Sequence, residues 1–187
     1  MTREGLAPAA ALALAGGGPA PRRERHLGLV PPSAPDDDPR APAERPAGRR
    51  VLVVDDEASM RTLCRVNLEL AGFEVGEARD GAEALALAES GQFDLILLDV
   101  MLPDIGGHDV VQRLAEHERS RDVPVVFLSA RAAREDIRLA YQLGAVDYIT
   151  KPFDPVGLGE RVRGIVERVD RGQSEPFRAA RLSELED

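Results

Sequence analysis

Between residues 51 and 169, short apolar runs alternate with segments whose apolar residues recur at helical spacing. Val51-Leu52-Val53-Val54 is continuous and largely β-branched, so it reads as a strand buried on both faces. Met60, Leu63, Cys64, Leu68 and Ala71 follow near helical spacing and stop at Gly72. Residues 73–78, 93–98, 123–128 and 146–150 are further strands by the same criteria. Residues 82–88, the stretch around Val110, Val111 and Leu114, residues 133–143 and residues 156–169 are helices. Five strands alternating with five helices imply a parallel sheet with helices on both faces, joined by right-handed crossovers. Ligands of such sheets bind beyond the carboxyl ends of the strands, near a topological switch point.

The side chains at those ends are therefore the candidates for chemistry. Asp55-Asp56-Glu57 follow the first strand, Asp99 the third, Ser129 the fourth, and Thr150-Lys151-Pro152 the fifth. If the first and third strands are neighbours, three carboxylates converge. Two unit charges about 4 Å apart repel by roughly 4 kcal/mol at an effective dielectric of 20, so the cluster needs a cation. With no His or Cys close by in sequence, oxygen donors suit a hard ion such as Mg²⁺. Lys151 would add a second positive charge from the opposite wall. It is the one lysine among 24 basic residues, and a point charge at short range is not replaceable by a guanidinium fork.

Each of these residues also has an ordinary reading. Asp55 and Asp56 would favour a helix N-terminus, Ser129 would cap the following helix, and Tyr148 would be a half-buried strand aromatic. Cys64 sits on an apolar helix face and reads as core. His108 and His117 have no ligand spacing between them and read as surface or packing residues, and Gly106-Gly107 as loop-shaping.

Charge and proline mark the borders. Residues 1–50 hold nine of the 14 prolines and eight arginines against six acids, a net +2, so residues 51–187 hold −11 of the chain's −9. Few apolar side chains are available there to offset ordering entropy, which predicts a disordered segment over residues 1–48. Whether that segment is an interaction tail or an upstream start-site extension stays open. Residues 6–15 approach a signal-peptide core, but Pro8 interrupts it and Glu4 cancels Arg3. The single cysteine excludes a disulfide framework, and no apolar run reaches the ~20 residues of a membrane helix. A cytoplasmic protein without membrane contact is expected. An acidic body argues against direct nucleic-acid binding.

Four blocks resemble a known family. Val53-Val54-Asp55-Asp56-Glu57, residues 97–107 (Leu97 to Gly107), Phe127-Leu128-Ser129-Ala130 and residues 147–153 (Asp147 to Phe153) look like the signature blocks of the receiver domain of two-component response regulators, in order and spacing. The resemblance implies a flavodoxin-like, doubly wound five-stranded parallel sheet of order 2-1-3-4-5 with five helices over residues 49–170, followed by a short polar tail over residues 171–187. It also implies that Asp99 accepts a phosphoryl group from a sensor histidine kinase or histidine phosphotransfer protein. Mg²⁺ would be held by Asp56 and Asp99 directly, by Asp55 through water and by the Met101 backbone carbonyl. Ser129 would bind a phosphoryl oxygen, Lys151 would be the family's lysine, the bond before Pro152 would be cis, and Tyr148 would change rotamer with the switch. Such a domain catalyses only its own phosphorylation and dephosphorylation, and it passes the signal to a downstream protein through helix four, strand five and helix five.

Two positions depart from the pattern. Val146 stands where many relatives carry an acid, and Gly157 where dimerising relatives carry one, while Asp147 and Arg161 remain. A monomer or a weak phosphorylation-dependent dimer is therefore expected. With only a short stretch after the fifth helix, the chain resembles a stand-alone receiver. Two other classes compete: a receiver-like binding module that works without phosphate, and an aspartyl-phosphate phosphohydrolase. The latter needs a second aspartate two residues after the nucleophile, where this chain has Met101.

Overall fold

The computed structural model describes residues 48–91 and 93–186. The segment expected to be disordered, residues 1–48, lies outside the described residues apart from Gly48. The elements are β1 (Arg50–Val54), α1 (Ala58–Leu70), β2 (Glu74–Ala78), α2 (Gly81–Glu89), β3 (Leu95–Leu98), α3 (Gly107–Glu116), β4 (Val125–Ser129), α4 (Arg134–Gln142), β5 (Asp147–Thr150), α5 (Pro155–Asp170) and α6 (Ser174–Glu186). All strand pairs are parallel and their order is β2-β1-β3-β4-β5, as the sequence pattern and the resemblance implied.

The continuous apolar runs are explained by burial on two sides. Leu52, Val54, Ile96, Leu98, Val125 and Phe127 face a core closed by Ala84, Ala88, Val110, Leu114 and Tyr141 of α2, α3 and α4. Their neighbours Val51, Val53, Leu95, Leu97, Val126 and Leu128 face a second core closed by α1 and α5 through Cys64, Leu68, Leu158, Val162 and Ile165. Side chains of a strand alternate between faces, so the middle residues of these strands each have a core to fill and are apolar, polar residues standing only at the ends.

Local signals set the helix ends. The Asp80 side chain accepts from the Glu83 amide and Glu83 reaches back to the Arg79 amide, satisfying two donors at the start of α2. Asp154 caps α5 through the Val156 amide, with Pro155 in the first turn. Gly72 ends α1 at φ +90°, a backbone conformation that an L side chain rarely adopts.

One element differs from expectation. The C-terminal stretch, expected as a polar tail, forms the sixth helix, α6, with Phe177, Leu182 and Leu185 packed against the core on the α4 side. Among the described residues no helix is long and apolar enough to cross a membrane.

Cys64 is fully enclosed, and burial pushes its thiol up to about 12. A thiol reagent should therefore modify the native protein on the order of a thousandfold more slowly than the urea-unfolded chain. Rapid labelling of native protein would contradict the packing of α1 against the sheet.

Candidate functional site

Strand order decides which carboxylates meet. β1 and β3 are neighbours with Val54 opposite Leu98, so the next residues, Asp55 and Asp99, leave the sheet at the same level. The Asp99 amide donates to the Val54 carbonyl at 2.9 Å, which carries the ladder one step past the strands. On the other side of β3, β4 ends at Ser129 opposite Thr150, and the Lys151 amide donates to the Ser129 carbonyl at 2.8 Å. The peptide bond between Lys151 and Pro152 is cis.

Asp55, Asp56 and Asp99 bring carboxylate oxygens within 4.8 Å of one another. Asp55 and Asp99 are buried, while Asp56 is exposed and opens the cluster to solvent. The Lys151 ammonium bridges the two buried carboxylates, 2.6 Å from Asp55 Oδ2 and 2.5 Å from Asp99 Oδ2. The second oxygens are held by the backbone, Asp55 Oδ1 by the Glu57 amide and Asp99 Oδ1 by the Met101 amide, both at 2.9 Å. The positions of both carboxylates are thus fixed by hydrogen bonds at each oxygen.

Negative charge exceeds positive in this site. Burial pushes the Asp55 carboxyl above the ordinary carboxylate range, against the hydrogen bonds from Lys151 and the Glu57 amide. Burial pulls the Lys151 ammonium down, but hydrogen bonds and charge from Asp55 and Asp99 outweigh it and hold it above its ordinary value. Three carboxylates facing one ammonium, with oxygen donors alone and an open side, fit a hard divalent cation that keeps several waters. Lys151 is thus the resident counter-charge, and room remains for one more.

Ser129 and Tyr148 sit one strand away and meet at Arg131. The Ser129 hydroxyl accepts from the Arg131 amide at 3.1 Å. The Tyr148 hydroxyl donates to the Arg131 carbonyl at 2.7 Å, and its buried ring lies 6.2 Å from that of Phe127. Among the described residues, no hydrogen bond joins Ser129 to Asp99. The Met101 side chain is exposed, and its amide is what touches Asp99.

Two supporting residues, Asp104 and Arg61, were not singled out from the sequence. Asp104 accepts from the Gly81 and Ala82 amides, both at 2.9 Å, and these bonds hold its carboxyl below the usual range while tying the loop after β3 to the start of α2. Arg61 donates to the Asp55 and Asp56 carbonyls at 2.8 and 3.1 Å, bracing the loop after β1. Arg131 serves through its backbone, where side-chain identity carries no signal. Asp104, next to Pro103, was the one legible as a turn residue. His108 packs edge-on against Phe127, centroids 5.2 Å apart, in keeping with a packing role.

Comparison with known proteins agrees with this geometry. The family profile described as the response regulator receiver domain matches residues 51–163. The chain is 44% identical over 122 residues to the DNA-binding dual master transcriptional regulator RpaA of Synechocystis, covering 65% of this chain and 51% of that protein. It is 40% identical over 128 residues to the phosphate regulon transcriptional regulatory protein PhoB of Pseudomonas aeruginosa, covering 68% and 56%. The chain thus spans about half the length of the curated relatives it matches. Among solved structures, the chemotaxis response regulator CheY4 of Vibrio cholerae superposes with a TM-score of 0.60 at 32% identity, over 63% of this chain and 98% of that one. A CheY-like receiver domain protein from Methanospirillum hungatei gives 0.62 at 27% identity, over 67% and 99%.

Proposed function

Because the chain belongs to the response regulator receiver domain family of two-component signalling, we propose that Asp99 takes a phosphoryl group from a histidine of a sensor kinase or a phosphotransfer protein. The observation that carries this reading is the Lys151 ammonium bridging Asp55 and Asp99 at the mouth of the sheet. An Asp99 carboxylate oxygen attacks phosphorus, the phosphorus–nitrogen bond breaks, and the histidine nitrogen leaves with the electron pair. No base is needed, since a carboxylate nucleophile has no proton to be removed.

Such transfer demands positioning and charge neutralisation more than covalent assistance. The backbone bond from the Met101 amide aims Asp99, and Lys151 offsets the charge on the phosphoryl oxygens. Mg²⁺, when held by Asp56, Asp99, the Met101 carbonyl and, through water, Asp55, supplies further charge neutralisation at the same oxygens. Ser129 donates its hydroxyl to a phosphoryl oxygen. That move costs the Arg131 amide its acceptor, and Tyr148, bonded to the same residue, is the group that responds. The α4–β5–α5 face then changes its affinity for a downstream protein, a shift limited by the differential contact energy between the two states.

The domain acts on itself and turns over no other substrate in this reading. Its place is the cytoplasm, with no membrane contact. The matched relatives include DNA-binding regulators, but the match covers about half of each, and residues 51–187 are strongly acidic. Nucleic-acid contact is therefore not assigned to the receiver itself.

The test is intact mass after incubation with Mg²⁺ and acetyl phosphate. One added phosphoryl group is expected, absent without Mg²⁺ and absent in Asp99→Asn. Folded protein that takes no phosphoryl group from acetyl phosphate or from a phosphohistidine donor would instead be a binding module that works without phosphate.

A further inference from the structure

Helix α6 occupies the face through which such a domain would signal. Ser174, Phe177, Arg178, Arg181, Leu182 and Leu185 are its half-buried residues and recur at helical spacing on one stripe. The guanidinium of Arg168 on α5 lies 3.7 Å from the centroid of the Phe177 ring. Arg168 is itself anchored, donating to Asp147 Oδ2 at 2.9 Å and to the Val146 carbonyl at 3.2 Å. Arg181 is hydrogen-bonded to the Tyr141 phenol of α4. Arg134, the first residue of α4, donates to the Glu184 carbonyl at 2.8 Å. The helix thus bridges α4 and α5 beside the edge strand β5.

Its hold is shallow. No residue of α6 is fully buried, and a 13-residue helix is marginal in water by itself. The contacts with α4 and α5 are what keep it helical, so it belongs to the low-stability end of the domain.

The same contacts lead to the phosphorylation site. Ser129 holds the Arg131 amide, Tyr148 holds the Arg131 carbonyl, and three residues later Arg134 holds α6. On the β5 side, Asp147 precedes Tyr148 and fixes the arginine that covers Phe177. We propose that α6 is a releasable occupant of the α4–β5–α5 face, and that a phosphoryl group on Asp99 frees it so that an amphipathic helix of a partner can take its place. The proposal rests on the reading of Asp99 as phosphoacceptor. Withdrawal of the Ser129 hydroxyl from Arg131 lets the loop before α4 move, and Arg134 moves with it. The partner helix shares the apolar stripe of α6, an aromatic and two leucines, but is not held through Arg134, the contact that phosphorylation withdraws.

Hydrogen exchange on the full chain, with intact mass read from the same samples, tests this. When Mg²⁺ and acetyl phosphate have formed the adduct, amides of residues 177–186 should exchange about tenfold faster or more, within the usual range of coupling between sites. Asp99→Asn should show no change. Arg134→Ala should raise exchange in α6 without phosphate while β1, β3 and β4 stay protected. A full-length Phe177→Ala, Leu182→Ala double variant, its own α6 disabled, should bind a labelled peptide of residues 173–187, and phosphorylation should weaken that binding about tenfold. An adduct that leaves α6 protection unchanged, or a double variant that ignores the peptide, overturns the release of α6 and leaves the phosphoacceptor reading standing. Failure to form any adduct overturns both.

Discussion

In the metal-free protein at pH 7, Lys151→Ala is expected to lower the free energy of unfolding by about 3–5 kcal/mol, the usual cost of removing one partner from a buried ion pair. The ammonium touches two carboxylates that are almost wholly enclosed, and its own side chain is only 15% exposed, so solvent screening discounts little of the effect. Without it, each of those carboxylates keeps one backbone amide and faces Asp56 and the other across the cluster. Arginine should restore only part of the loss, because a rigid planar fork does not place one compact charge between two oxygens.

The pH dependence follows from the two shifts. Asp55 is held above its unfolded value of 3.8, so its contribution is fully present below that pH and is lost as pH rises through the folded value. Lys151 is held above 10.5, so its contribution is present below that pH and disappears as pH climbs through the folded value. The alanine variant lacks the second contribution and has a larger first one. Its deficit should therefore shrink as pH falls into the carboxylate range and again as pH climbs through the raised folded value of Lys151. Mg²⁺ should narrow the deficit at pH 7, since the cation binds the variant without competing against Lys151. Urea unfolding at pH 4.5, 7 and 9, with and without Mg²⁺, reads the acid side of this dependence and the effect of the cation. A deficit independent of both pH and Mg²⁺ would mean that Lys151 is held for packing and not for charge.

The sheet was legible because its strands are enclosed on both faces. A run such as Leu95-Ile96-Leu97-Leu98 has no polar position, and the alternation with helical segments leaves few topologies open. The chemistry was legible for a related reason: Asp55, Asp56, Asp99, Ser129 and Lys151 all lie where strands end, and parallel strands all end on one side. Helix α6 was not legible as a docked element. Three large apolar residues in its thirteen, with Pro176 in the first turn, look like solvent-facing chain, and its hold depends on arginines whose partners, Tyr141 and the Glu184 carbonyl, are visible only in space. The same limit hid Arg61, which acts on backbone groups that every residue possesses. Tyr148 was expected to change rotamer with the switch, and in this structure its ring is buried and its hydroxyl bonded to the Arg131 carbonyl. Sequence names a rotameric aromatic but not which of its positions the chain prefers at rest.

The adjacent glycines of the loop after β3 should behave in opposite ways. A Cβ on Gly107 would stand 2.4 Å from the Asp99 carbonyl oxygen and 2.8 Å from the Val100 Cα, both backbone atoms of the segment that carries the Asp99 carboxylate. No rotamer relieves such an overlap, so the start of α3 and the end of β3 must part. Alanine's better helix propensity returns about 1 kcal/mol at most. Overpacking of this kind costs about 1–3 kcal/mol, and contact with rigid backbone places Gly107→Ala at the upper end of that range. The chemical cost should be larger than the stability cost. The Gly107 amide donates to the Val100 carbonyl at 2.9 Å, and the Met101 amide aims the Asp99 carboxylate from the same stretch. Displacing a reacting group by about 1 Å can cost on the order of a hundredfold in rate, so acetyl phosphate should label Gly107→Ala about a hundredfold more slowly while the protein remains folded at 20 °C. Gly106 provides the contrast: its added Cβ would meet nothing closer than Asp109 Oδ2 at 3.6 Å, and Gly106→Ala should change labelling less than about twofold. The pair separates two explanations of why glycines occupy this loop. Equal loss in both variants would point to backbone freedom of the loop, whereas loss in Gly107→Ala alone points to the close approach of α3 to the carbonyl behind Asp99.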